Sequence, residues 1–358
     1  MNGWVHHCGN GGSPCCPAES ARSSGGAPDQ AFAVDVHCHV MTLAVEALVA
    51  EHPRLKAEPA AMLKSMGKAS VDHNLSDMLP KAFPRLTQIG QRLKDMDAMG
   101  VQLQVLSPSP NQYYYWAEPG LAAEIVRLQN EHIASLCAAH PTRLSGLGTV
   151  ALQHPAMAAE QLAHAIQQLG LKGVEISTSV EGRELDDPAF DPFWDAAERL
   201  GAVVFIHPFG TTLGARTATH YLSNTIGQPL ETTLALSRLI FSGTLDRFPA
   251  LKLLAAHGGG YLPTYLGRSN HAYEVRPEAR VAQRPPGTYV AQLHFDSVVY
   301  EPGALRQLVD NVGASQVLLG TDYPYDMGHY APQELVAALT DDEKRAVLGA
   351  NARRLFNL

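Results

Sequence analysis

"VDVHCHV", residues 34–40, is an apolar run that closes on two histidines one residue apart. In a β-strand the side chains at i and i+2 share a face, so His37 and His39 point to one place and Cys38 points away. Two imidazoles so placed can hold one metal ion. Two histidines near a surface would read the same way, so the weight falls on whether the rest of the chain repeats the pattern.

Short apolar runs recur at 31–37, 102–108, 144–152, 173–178, 202–208, 251–258, 289–297 and 316–324. Helical patterns separate most of them. Residues 124–140 carry apolar positions at helical spacing and stop before Pro141. Residues 157–170 end on a glycine, and 188–201 start after Asp187, a plausible N-cap, and also end on a glycine. Strand and helix alternating about eight times predict an α/β fold, a (β/α)8 TIM barrel. An open doubly wound sheet is the alternative, but no glycine-rich phosphate loop follows the first strand. The sixty residues after that strand, 41 to 101, have weak periodicity and several prolines. We read about 41–90 as an insertion over the C-terminal mouth of the barrel, where long loops shape a site.

The reactive residues fall at that mouth. His37 and His39 end the first strand, His207 the fifth in "VVFIHPFG", His257 the sixth in "LLAAHGGG", and Asp322 the eighth in "LLGTDYPY". Singly, a glycine turn explains His257 and a helix cap explains Asp322. Together, four histidines and an aspartate at one end of four strands point to a metal site.

These segments resemble the amidohydrolase superfamily, of the metal-dependent hydrolase barrel type. More narrowly they resemble the branch of 2-amino-3-carboxymuconate 6-semialdehyde decarboxylase and related aromatic-acid decarboxylases. "YYYWAEP" (113–119), "GLGTVAL" (146–152), "QPLETTLA" (228–235), "FPALKLLAAHGGGYLPTYLGR" (248–268) and "HFDS" (294–297) carry the same likeness, which spans about residues 33–355. The resemblance implies that His37, His39, His207 and Asp322 bind one divalent ion, zinc by preference with manganese the alternative, and that no organic cofactor is used. It implies His257 as general acid/base beside the site, with Asp322 counted as catalytic too. A second ion would call for a carbamylated lysine at the end of the fourth strand; Lys172 stands at its beginning, with Glu175 and Ser177 towards its end.

For the substrate, a small carboxylic acid, the resemblance implies Arg268, eleven residues after His257, reaching a neighbouring subunit's site and so a homodimer. A guanidinium grips a carboxylate in two parallel bonds. The matching arginine after the first strand is not found by alignment; Arg85 is favoured over Arg92. Phe209, Tyr221 and Tyr325 are expected to line the pocket, with Trp116 as wall or core. The relatives carry Trp where this chain has Phe209 and Tyr221, so the pocket shape should differ. The reaction expected is non-oxidative decarboxylation of an aromatic or unsaturated acid. The alternative is a hydrolase or hydratase acting on a lactone, amide or unsaturated acid at the same site.

The chain has 358 residues, 46% of them hydrophobic, and a net charge of −8 from 27 basic and 35 acidic residues. That suits a large core and gives no sign of nucleic-acid or anionic-membrane binding. No apolar run approaches a membrane span. Residues 1–30 read as a flexible extension rich in Gly, Ser, Pro and Cys; Cys8, Cys15 and Cys16 beside His6 and His7 match no zinc motif. With only Cys38 and Cys137 elsewhere there is no disulfide framework, and a cytoplasmic location is expected.

Overall fold

Eight parallel strands carry the apolar runs in a computed structural model that describes residues 32–358: β1 Val34–Val40, β2 Leu103–Pro108, β3 Leu144–Gly146, β4 Gly173–Ile176, β5 Val203–Ile206, β6 Lys252–Ala255, β7 Leu293–Asp296 and β8 Val317–Leu318. The expected N-terminal extension lies outside the described residues. The strands form two parallel ladders, β1-β2-β3 and β8-β7-β6-β5-β4. The bridge Gly148↔Val174 joins them on one side and Cys38↔Tyr323 on the other. Around the second bridge Val36 N donates to Leu319 O at 2.9 Å, Asp322 N to His37 O at 2.8 Å and His39 N to Tyr323 O at 2.7 Å. The sheet therefore closes into a barrel, which removes its edges. The strands are shorter than the apolar runs: the runs expected to end at 152 and 324 leave the ladder at 146 and 318, because the residues beyond turn over the mouth.

The principal helices are α1 Leu43–Val49, α2 Pro53–Met66, α3 Lys68–His73, α4 Leu79–Thr87, α5 Ile89–Met99, α6 Pro119–Ala139, α7 Pro155–Gln167, α8 Asp191–Leu200, α9 Gln228–Phe241, α10 Leu262–Val275, α11 Pro302–Val312 and α12 Asn351–Phe356. Helix α8 is preceded by a 3-10 turn that Asp187 caps, accepting from Ala189 N, and it ends on Gly201 at φ 60°. The segment after β1 is built of helices. Its weak periodicity has a cause: α2 buries no residue, and an apolar stripe is needed only where one face is covered.

Two apolar layers separate inside from outside. Val34, Val36, Leu103, Val105, Val203, Phe205, Leu254 and Leu318 fill the barrel, and Ala352, Leu355 and Phe356 of α12 close its lower end. Ala33, Cys38, Leu106, Val204, Ile206, Leu253 and Phe295 face the helices. Strand β1 breaks simple alternation. Its register against β2 shifts between Asp35 and Cys38, a bulge that lets both Val36 and His37 face inward.

Candidate metal centre

Period two carries β5 from Val203 and Phe205, inside the barrel, to His207 at its mouth. The bulge in β1 does the same for His37 and His39, whose rings lie 4.9 Å from that of His207. On β6 the inward residues are Leu254 and Ala256, so alternation alone would turn His257 out. A left-handed backbone at His257, φ 55°, ends the strand there, and its ring comes within 5.0 Å of His207 and 5.3 Å of His37. Asp322 is also left-handed, φ 57°. Residues held in this region cost on the order of 1–3 kcal/mol and cluster at functional sites.

The donor atoms converge. His37 Nε2 is 3.2 Å from His39 Nε2 and 3.3 Å from Asp322 Oδ1, and His39 Nε2 is 3.4 Å from the same oxygen. Two ligands bound tetrahedrally at zinc distances are about 3.3 Å apart. Ligand atoms of His37, His207, His257 and Asp322 all lie within 4.8 Å of one another. Acceptors behind the ring set the tautomer. His37 Nδ1 donates to Asp296 Oδ2 at 2.5 Å and His39 Nδ1 to Pro108 O at 3.1 Å, so both Nε2 lone pairs face the cluster. Both ring nitrogens of His207 are buried without a partner. Acceptors crowded this closely call for positive charge among them, and the residues fit a metal ion.

The electrostatics agree. Burial, then the charges of His37, His39 and His257, push His207 well below the ordinary histidine range, which keeps it a neutral ligand. Burial opposes charge on His37, yet Asp322 and Asp296 raise it well above that range. Burial also opposes charge on Asp322, yet His37, His257 and His39 hold it well below the usual carboxylate range. The carboxylates thus call for positive charge at this point.

His257 is slightly exposed, its Nε2 3.7 Å from Asp322 Oδ2, at the edge of the cluster where a substrate would enter. Tyr325 lies 5.6 Å from His39, ring to ring. Burial, Asp326 and Asp322 push Tyr221 up to about 12. Phe209 follows β5, is 46% exposed and meets Tyr113 edge-on.

The remaining expectations divide. Arg268 is exposed on α10, on the outside of the barrel. Arg85 pairs with Asp95 at 3.0 Å. Arg92, the second candidate for the substrate, is 1% exposed and donates to Gln104 Oε1 and to the carbonyls of His39 and Arg85; it is structural. Trp116 is not brought to the cluster: it stacks on His52 at 4.2 Å and donates to Glu58 at 2.8 Å, within the packing of the insertion. Lys172 reaches Asn357 O at 3.3 Å, at the lower end of the barrel.

The roles of two carboxylates escaped the sequence reading. Asp296 of β7 takes His37 and also accepts from His257 N at 2.9 Å and Gly258 N at 2.8 Å. Its signal was "HFDS", a strand ending in an acid like the others. Glu175 of β4 is fully buried, accepts from Tyr113 Oη at 2.7 Å and stands 3.6 Å from His39 Nδ1; burial raises its pKa.

Comparison with known proteins places residues 34–358 on the amidohydrolase family profile. The chain is 36% identical to 2-amino-3-carboxymuconate-6-semialdehyde decarboxylase of Dictyostelium discoideum over 75% of this chain and 76% of that one. The structure of 5-carboxyvanillate decarboxylase from Sphingomonas paucimobilis superposes with a TM-score of 0.80 at 27% identity, covering 92% and 99% of the two chains. The dihydroxybenzoic acid decarboxylase of Polaromonas sp. JS666, holding manganese and 2-nitroresorcinol, superposes with a TM-score of 0.75 at 23% identity, over 92% and 97%.

Proposed function

The chain belongs to the amidohydrolase family, and from that premise we propose that it is a metal-dependent carboxy-lyase that removes carbon dioxide, without an oxidant, from an aromatic or unsaturated carboxylic acid. The observation that carries this reading is the convergence of His37, His39, His207 and Asp322 beside His257 in a chain 36% identical to a decarboxylase.

His37, His39, His207 and Asp322 would hold one divalent ion. When bound, such an ion supplies positive charge that fixes a carboxylate or phenolic oxygen and lowers the pKa of water. Zinc is the ion proposed. Three histidines and one carboxylate are a common donor set for zinc, with a position left open for water or substrate. Manganese, present in the Polaromonas relative, is the alternative.

The chain's own groups do the rest. His257 Nε2 hands a proton to the carbon that bears the carboxylate. The bond to the carboxylate breaks with its electron pair left on that carbon, the proton completes the new C–H bond, and one proton is taken up per carbon dioxide released. Phe209, Tyr221 and Tyr325 form an aromatic mouth against which a planar acid can lie. Arg268, exposed on α10, is proposed to hold the carboxylate in a second subunit's site of a homodimer. Arg85 can take that role only by exchanging Asp95 for the substrate. No helix of the described residues is long and apolar enough to cross a membrane. Cys38 and Cys137 are free among the described residues, which supports the proposal of a reducing, cytoplasmic compartment.

The test is carbon dioxide release from a panel of hydroxybenzoates, carboxyvanillates and unsaturated diacids with zinc- or manganese-loaded protein. Turnover of at least one class is expected. Acid release from lactones or amides, with no carbon dioxide from any acid, would overturn the reading.

A further inference from the structure

Arg92 lies in α5, outside the barrel, yet it is among the most buried large side chains of the protein. A buried guanidinium costs several kcal/mol unless its donors are met, and here the acceptors come from three different elements. Nη1 donates to Gln104 Oε1 of β2 at 2.9 Å. Nη2 donates to the carbonyl of His39 on β1 and, at 3.3 Å, to that of Arg85 in α4. The guanidinium also lies 4.8 Å from the ring centre of Tyr323, the residue after Asp322.

The bonds continue beyond Gln104. Its amide donates to Asp35 Oδ2 at 2.9 Å. Asp35 in turn accepts from His37 N at 3.1 Å, from Thr321 N at 3.0 Å and from Thr321 Oγ1 at 2.7 Å. One buried chain, Arg92–Gln104–Asp35–Thr321, therefore runs behind the seam where β8 closes on β1. Three of the donors straddle that seam: His37 and His39 on one side, Asp322 on the other.

We propose that Arg92 is a positioning residue for the metal centre: wedged behind the seam, its planar fork sets the spacing between the His37–His39 pair and Asp322. This rests on the reading of those three residues as ligands. The fork is what the role requires. A lysine ammonium is a single point of donation, and it cannot span Gln104 and His39 O while staying against the Tyr323 ring. Loss of the fork should let β1 and β8 relax apart at the mouth while the rest of the barrel stays intact.

The experiment measures metal affinity of apo protein by competition with a chromophoric chelator, and ligand geometry from the visible spectrum of the cobalt(II)-loaded protein. Arg92→Lys and the milder Gln104→Asn should bind zinc about 10–100-fold more weakly, the range seen when groups behind metal ligands are removed, and should alter the cobalt bands. Far-UV circular dichroism should match the parent. Leu162→Val, in the outer core, serves as the control for general loosening. Parent-like affinity and spectrum in folded Arg92→Lys overturn the proposal, as does a loss no greater than that of Leu162→Val at equal melting temperature. If Arg92→Lys does not fold, Gln104→Asn decides by the same two readouts. Failure of the parent to bind any divalent ion would instead overturn the metal assignment itself.

Discussion

His257 and Asp296 touch the same cluster and should fail differently. Asp296 receives His37 Nδ1 at 2.5 Å and so fixes which nitrogen faces the metal. Asp296→Ala frees that ring to turn or to change tautomer, and zinc affinity should fall about 10–100-fold. The loss should appear in equilibrium dialysis before any substrate is added. His257 stands at the edge of the cluster in the role of proton donor. His257→Ala should keep full metal occupancy and lower kcat about 10²- to 10⁴-fold, with little change in KM. Loss of the metal with His257 would make it a ligand and leave the proton without a donor.

At the scale of elements, the site depends on three backbone irregularities in otherwise regular strands. The bulge in β1 turns His37 inward, and the left-handed residues that follow β6 and β8 aim His257 and Asp322. The glycines after His257 make the second possible. Gly260 has φ 63°, and a Cβ there would stand 2.1 Å from Pro229 O. Gly170 is left-handed too, φ 70°, but a Cβ there meets nothing within 4 Å. Gly170→Ala should therefore cost only the conformational term, about 1 kcal/mol. Gly260→Ala adds overpacking of about 1–3 kcal/mol. Thermal melts should rank the two in that order, and equal losses would show that contact with the α9 backbone is unimportant.

The whole molecule carries a net charge of −8, which disfavours approach of an anionic substrate unless positive charge is supplied locally. Arg85 is already paired and Arg92 is buried, whereas Arg268 is exposed on the outer face of α10. Its proposed place is a second subunit's mouth. Arg268→Ala should raise KM strongly with metal content unchanged. Mixing Arg268→Ala with His257→Ala subunits should restore part of the activity, because one of the two sites in each mixed dimer is then complete. Verified heterodimers with no recovery would assign Arg268 to its own subunit or to no substrate.

The alternation of apolar runs with helical patterns, and five reactive residues at the ends of four of those runs, were legible in the chain from residue 31 onward because hydrophobic period and strand ends are local properties. So were Asp187, which caps the 3-10 turn leading into α8, and Gly201, which ends that helix, since a cap acts within one turn. The place of Arg92 was not legible: in the sequence it is a second candidate for the substrate arginine in a weakly periodic stretch, and its burial arises only when α5 packs behind the β1–β8 seam. The roles of Asp296 and Glu175 were missed because each is defined by the imidazole it faces across the barrel. The inward turn of His37 is the clearest case. Period two within "VDVHCHV" sets Val36 and His37 on opposite faces, yet both face inward once β1 pairs with β2 and takes up one extra residue. A bulge is a property of two strands in register, and no single strand contains it.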